Sequence, residues 1–228
     1  MDYDLILKGG HVIDPANQIN DVMDVAVKDG KISAVSTNLP TTECRRVIAV
    51  DGFYVTPGLI DLHVHVYGGY DGGMFPDVHS FSNGVTTVVD TGGAGWKSFE
   101  EFRQTIISQS ETRVLAFLNI VGAGMLGAVE QDVSEMEPIP CAEMVARYPQ
   151  HIIGVKTAHF GGSGWEAVET AIQAGELSQT PVMLDFWPRP TRPYPELILE
   201  RMRPGDIHTH VYARHIPTLD ENGKVADY

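Results

Sequence analysis

Two histidines, His63 and His65, close the run Thr56-Pro-Gly-Leu-Ile-Asp-Leu-His-Val-His65. In a β-strand, residues two apart point to one face, so the two imidazoles would stand side by side. That pairing suits a divalent metal and suits a packed core poorly. Later apolar runs end in further candidates. Lys156 closes Ile152-Ile-Gly-Val-Lys156, a setting in which a buried, unpaired ammonium is costly. Asp185 closes Val182-Met-Leu-Asp185, and His208 and His210 both lie in Gly205-Asp-Ile-His-Thr-His210. Same-face spacing leaves the choice between His208 and His210 open. His159, just past Lys156, could reach the mouth of the same site.

Imidazole and carboxylate are the ligands that Zn2+ takes in catalytic sites, and a pair of cations clamps and acidifies a shared water. An ammonium is a donor only and cannot ligate. Lys156 can serve if CO2 adds to its neutral amine, giving a carbamate that bridges two metals as a carboxylate would. Burial beside cations favours that neutral amine. Each residue also has a bland reading: an incidental strand pair for the histidines, a surface or ion-pairing lysine, an aspartate capping a strand end.

These side chains converge only if their strands lie side by side. After Gly58, short apolar strands alternate with amphipathic helices. The expected strands are Leu59–His65, Thr86–Asp90, Val114–Ile120, Ile152–Thr157, Val182–Phe186 and Ile207–Tyr212. Helices are expected after the capping boxes Ser98-Phe-Glu-Glu101 and Ser163-Gly-Trp-Glu166, the second stopping near Gly175, and over Tyr194–Met202. Repeated strand–helix units imply parallel crossovers, in an open doubly wound sheet or an unfinished (β/α)8 barrel. In a barrel, side chains at C-terminal strand ends meet at one face.

Residues 1–57 read instead as β-structure, half of a small sandwich: Leu5–Leu7 and His11–Ile13 around a hairpin-type break at Gly9-Gly10, then Asp24–Lys28 and Lys31–Val35 joined by Asp29-Gly30. An Asp-Gly pair supplies the positive φ angles of a type I′ turn. Strands at Val47–Val50 and Tyr54-Val55 follow.

Bulk composition excludes some partners. A formal net charge of −14 over 228 residues argues against nucleic acid, where Lys and Arg must neutralise phosphates. The two cysteines, Cys44 and Cys141, make neither a metal-type pair nor a disulfide framework. No apolar run approaches the ~20 residues of a membrane span, and the first residues lack the features of a signal peptide. A reduced cytoplasmic setting and no membrane partner are the expectations.

The run Pro57-Gly-Leu-Ile-Asp61-Leu-His63-Val-His65 resembles the leader motif of the amidohydrolase superfamily, in its dihydroorotase-like and deacetylase branch. The opening Asp4-Leu-Ile-Leu-Lys-Gly-Gly-His-Val-Ile-Asp-Pro15 and the hairpin at Val27–Ile32 look like that family's small β-domain. Gly84-Val-Thr-Thr-Val-Val-Asp90 looks like its second barrel strand, and Lys156 falls where it carries a carboxylated lysine. Gly205-Asp-Ile-His-Thr-His210 resembles its sixth-strand motif, which selects His210 over His208.

The resemblance implies a TIM-type (β/α)8 barrel over residues 58–228, with about six of eight strands present, beside the β-sandwich half-domain. It implies a hydrolase of C–N amide bonds, cyclic or acyclic. His63, His65, Lys156, Asp185 and His210 would hold one or two Zn2+ or Mn2+ ions, Lys156 as its CO2-derived carbamate. Lys156 and Asp185 would be catalytic, though the family usually has a histidine where Asp185 stands. His159, Arg189 and Arg192 are the candidates for holding a small amide or cyclic amide substrate, with the arginines suited to a carboxylate, and a homo-oligomer is expected. Strands seven and eight and the proton-shuttling aspartate would lie beyond Tyr228. The chain is therefore expected to be the N-terminal portion of a longer protein, lacking full activity by itself. The competing expectations are a non-enzymatic oligomeric scaffold on the same fold and an open α/β binding domain.

Overall fold

The computed structural model describes residues 2–67, 73–157 and 159–227, which fall into two units, Met1–Leu59 and Ile60–Tyr228. The first holds strands β1 (Leu5–Asp14), β2 (Ile19–Lys28), β3 (Lys31–Ser36), β4 (Val47–Ala49) and β5 (Tyr54–Val55). β2 runs antiparallel to β1 and β3, whereas β4 and β5 pair with β1 in parallel, making a mixed five-stranded sheet. Asp29 and Gly30 take the expected positive φ, 49° and 72°.

Gly9 and Gly10 do not break the chain. β1 runs through them with a bulge between Leu7 and Gly10, and Gly9 adopts φ 77°. The bulge frees the Gly9 N–H from the ladder, and buried Asp24 accepts it at 2.9 Å while pairing with Lys8 at 2.6 Å. A glycine pair thus marks a bulge here, because a neighbouring carboxylate replaces the lost ladder bond.

The second unit is a parallel sheet in strict chain order, β6 (Leu59–Val64), β7 (Val85–Gly95), β8 (Arg113–Asn119), β9 (Ile152–Thr157), β10 (Val182–Leu184) and β11 (Ile207–His208). Helices α1 (Pro76–Ser80), α2 (Phe99–Phe102), α3 (Pro138–Arg147), α4 (Glu166–Ser178) and α5 (Tyr194–Glu196) fall between the strands. Neither capping box forms. Ser98 gives its hydroxyl to loop carbonyls, and α4 starts after Trp165 and continues through Gly175 to Ser178. Gly175 is a packing glycine: an added Cβ would lie 2.6 Å from the Val182 side chain. The helix expected over 194–202 is α5 followed by a π-helical turn, Leu197–Arg201, and α2 leads into a similar turn, Arg103–Ile107. Hydroxyls of Thr105, Ser108 and Ser110 bond carbonyls one turn back, a competition that bends helices.

The sheet has two buried faces. Val88, Leu118, Val155 and Leu184 join the helices in the main core, while Val89, Phe117 and Met183 form a small cluster on the other face. Alternation along each strand assigns the remaining side chains to faces. Val64 belongs to the main core, so His63 and His65 share the inner face with Asn119, Lys156 and Asp185.

Candidate metal centre

At the C-terminal ends of β6, β9 and β10 the inner face turns from apolar to polar. The rings of His63 and His65 meet edge to face with centroids 5.5 Å apart. Lys156, 1% exposed, is the last residue but one of β9. Gly92 (φ 89°) leaves room for it, since a Cβ there would come within 2.8 Å of Lys156 Cγ. Asp185 stands one residue past β10, and Thr157 locks its backbone by accepting the Asp185 N–H at 3.0 Å and donating to its carbonyl at 3.2 Å. One carboxylate oxygen, Asp185 Oδ2, lies 3.4 Å from His210 Nε2, 3.8 Å from His159 Nε2 and 3.9 Å from Lys156 Nζ.

β11 is shorter than expected and ends at His208, and this resolves the two histidines. His208 points to the helix side, its ring against Tyr194 with centroids 5.1 Å apart. Thr209 takes the inner position, and His210 adopts φ 60°, which turns its ring back to within 5.1 Å of the His63 ring. Same-face spacing fails as a guide because the strand stops between the two.

Electrostatics favour neutral donors. Burial, then the Lys156 charge, pushes His63 and His65 down to about 4, which leaves both imidazoles unprotonated at neutral pH. Burial also lowers the pKa of Lys156, against the opposing pull of Asp185. Two residues whose roles no motif announced complete the surroundings. Thr209 Oγ lies 2.9 Å from His63 Nδ1, leaving Nε2 for a ligand, as a second-layer partner does in metal sites. Asp90, 1% exposed, accepts the N–H groups of Val66, Tyr67 and Gly93 and so fixes the backbone just past His65. Asp90 stood in a recognised strand motif, but only the fold reveals what it binds.

The donor set fits a divalent cation: three imidazoles, a carboxylate and an amine whose burial favours the form that reacts with CO2. Among the described residues, no three His, Cys, Asp or Glu side chains group as a metal cage on their own. The donors instead flank Lys156, which counts as a ligand only once it is carboxylated. Of the expected substrate residues, His159 and Arg189 line a cavity of about 250 Å3 with Asp185, Phe160 and Trp187. Arg192 lies elsewhere. It is 2% exposed, donates to the Phe160 carbonyl at 2.7 Å, and packs over the rings of Phe160 and Phe186.

No protein-family model matches the sequence. A deacetylase of Agrobacterium fabrum is 33% identical over 193 residues, 81% of this chain and 47% of that protein. A crystal structure of an adenine deaminase matches 99% of this chain and 62% of its own, with a TM-score of 0.84 and 29% identity. A crystal structure of a dihydroorotase matches 97% of this chain and 59% of its own, with a TM-score of 0.78 and 27% identity. The chain spans about half the length of the curated relatives it matches. With the sheet in strict parallel order, these likenesses make the second unit six strands of a TIM-type (β/α)8 barrel.

Proposed function

The chain belongs to the amidohydrolase superfamily, and from that premise we propose that it carries the metal-ligand cluster of a metal-dependent hydrolase of C–N amide bonds. The substrate class is a small amide, acyclic as in an N-acyl amino acid or cyclic as in a dihydroorotate-type ring. One observation carries the reading. A nearly fully buried lysine stands 3.9 Å from a strand-end carboxylate, on the sheet face that carries His63 and His65, and the His210 ring lies 5.1 Å from that of His63.

His63, His65, Asp185, His210 and Lys156 as its carbamate would hold one or two divalent ions, Zn2+ or Mn2+. Such an ion supplies a polarised carbonyl and an acidified water. The chain's residues do the rest. Burial shifts Lys156 toward the neutral amine that adds CO2, the nitrogen forming the C–N bond and releasing a proton. Thr209 holds the His63 ring so that Nε2 faces inward. Asp185 serves as an acceptor among three nitrogens, and Phe160 and Trp187 give the cavity beside it apolar sides. We further place the protein in the reduced cytoplasm as a homo-oligomer.

Metal analysis after exhaustive dialysis tests the reading, together with hydrolysis assays on N-acetyl amino acids and dihydroorotate by the full chain supplied with Zn2+ and bicarbonate. About two equivalents of metal are expected for a paired site. A chain that retains no metal and hydrolyses no amide sinks it and favours the scaffold.

A further inference from the structure

The imidazole of His159 is held more tightly than a half-exposed side chain requires. Its backbone adopts φ 42°, in the left-handed region that a β-carbon disfavours. Two consecutive residues of the 3-10 turn Gly127–Gln131 grip it. Glu130, only 3% exposed, accepts from His159 Nδ1 at 3.0 Å through Oε2, and its Oε1 accepts the Gly127 N–H at 3.0 Å. Gln131 donates to the His159 carbonyl at 2.7 Å and accepts the Gly161 N–H at 2.7 Å.

Burying a carboxylate is costly, and this one gives an oxygen to a ring that solvent could satisfy. What the arrangement secures is direction. An ionised carboxylate only accepts, so Nδ1 must carry the proton it shares with Glu130, and Nε2 is turned toward the 250 Å3 cavity. Arg189 lines the same cavity and has no acidic partner among the described residues. Phe160 and Trp187 give apolar sides for a carbon skeleton.

We propose that Glu130 is a positioning residue for substrate recognition. Acting through His159, it fixes one polar wall of a subsite whose cationic wall, Arg189, takes a carboxylate of the substrate. The inference rests on the hydrolase reading for its place in the site and assigns the side chains that would orient the acid group of such an amide.

Ring 15N spectra of the metal-free full chain, with His159→Gln assigning the signals, report which nitrogen carries the proton. Acetate is the carboxylate probe, followed at the Arg189 side-chain Nε–H. In the unaltered protein, His159 is expected to be protonated at Nδ1, and acetate to shift the Arg189 signal to saturation. Glu130→Ala is expected to lose the Nδ1–H signature and weaken acetate at least tenfold. Glu130→Gln, whose amide oxygen still accepts, restores both. If Glu130→Ala does not fold, His159→Gln carries the test, because its position is half exposed, and the same tenfold loss is expected. An unchanged tautomer and acetate affinity in Glu130→Ala overturns the proposal, as does an unaltered chain whose Arg189 ignores acetate. Neither readout needs metal or turnover, so a failed hydrolysis assay does not imitate either result.

Discussion

Lys156 concentrates the energetic tension of the site. Its ammonium is buried, its nearest acid stands 3.9 Å away, and burial drives its pKa down. Removing a buried charge in favour of an apolar chain of similar volume is often neutral or stabilising. Lys156→Met is therefore expected to hold or raise the thermal midpoint while abolishing retained metal. A matching loss of stability would mean that the lysine is a structural ion-pair partner. Gly92 answers to the same side chain. Gly92→Ala forces a Cβ against Lys156 Cγ at φ 89°, and about 1–3 kcal/mol of lost stability is expected from strain of this kind. Urea unfolding measures it.

At the scale of elements, short polar ties hold the strands that carry the candidate ligands. Asp206 accepts from the Val182 and Arg203 backbones and from the Arg203 guanidinium, linking the start of β10 to the start of β11. Those bonds outweigh burial and hold its carboxyl below the usual aspartate range. The folded state therefore favours the ionised form. The stabilisation is complete above the unfolded aspartate pKa of about 3.9 and is lost as pH falls through the lower folded value. Asp206→Asn is expected to lower stability at neutral pH and to flatten the acid limb below about pH 4, read from thermal midpoints across pH. The strands themselves were legible in the sequence, because alternating apolar runs bounded by Gly and Pro report their own geometry. The helix α3 was not among the expected elements, although its Pro138 sits at a first helical turn, where proline is suited. Nor were Glu130, Asp90 and Thr209. Their partners lie far off in the chain, and no local pattern announces such a meeting.

Across the whole molecule, each unit carries one cysteine, Cys44 in the first and Cys141 in the second. Cys141 is 0% exposed, and burial pushes its thiol up to about 12, whereas Cys44 is partly exposed and its thiol donates to the Arg46 carbonyl. A thiol reagent at pH 8 is expected to label Cys44 in the native protein and Cys141 only when the second unit opens. A urea series with peptide mapping then follows the two units separately. Prompt native labelling of Cys141 would contradict the burial. The hydrogen bond between His63 and Thr209 has a temporal meaning as well. It joins the first strand of the sheet to the residue just past the last one, at opposite ends of the order and across 146 residues of chain. Closing so long a loop costs entropy that only the finished curl repays. On the proposed reading, the candidate ligands therefore come together only after His210 has left the ribosome, and metal uptake would report that this stretch has folded.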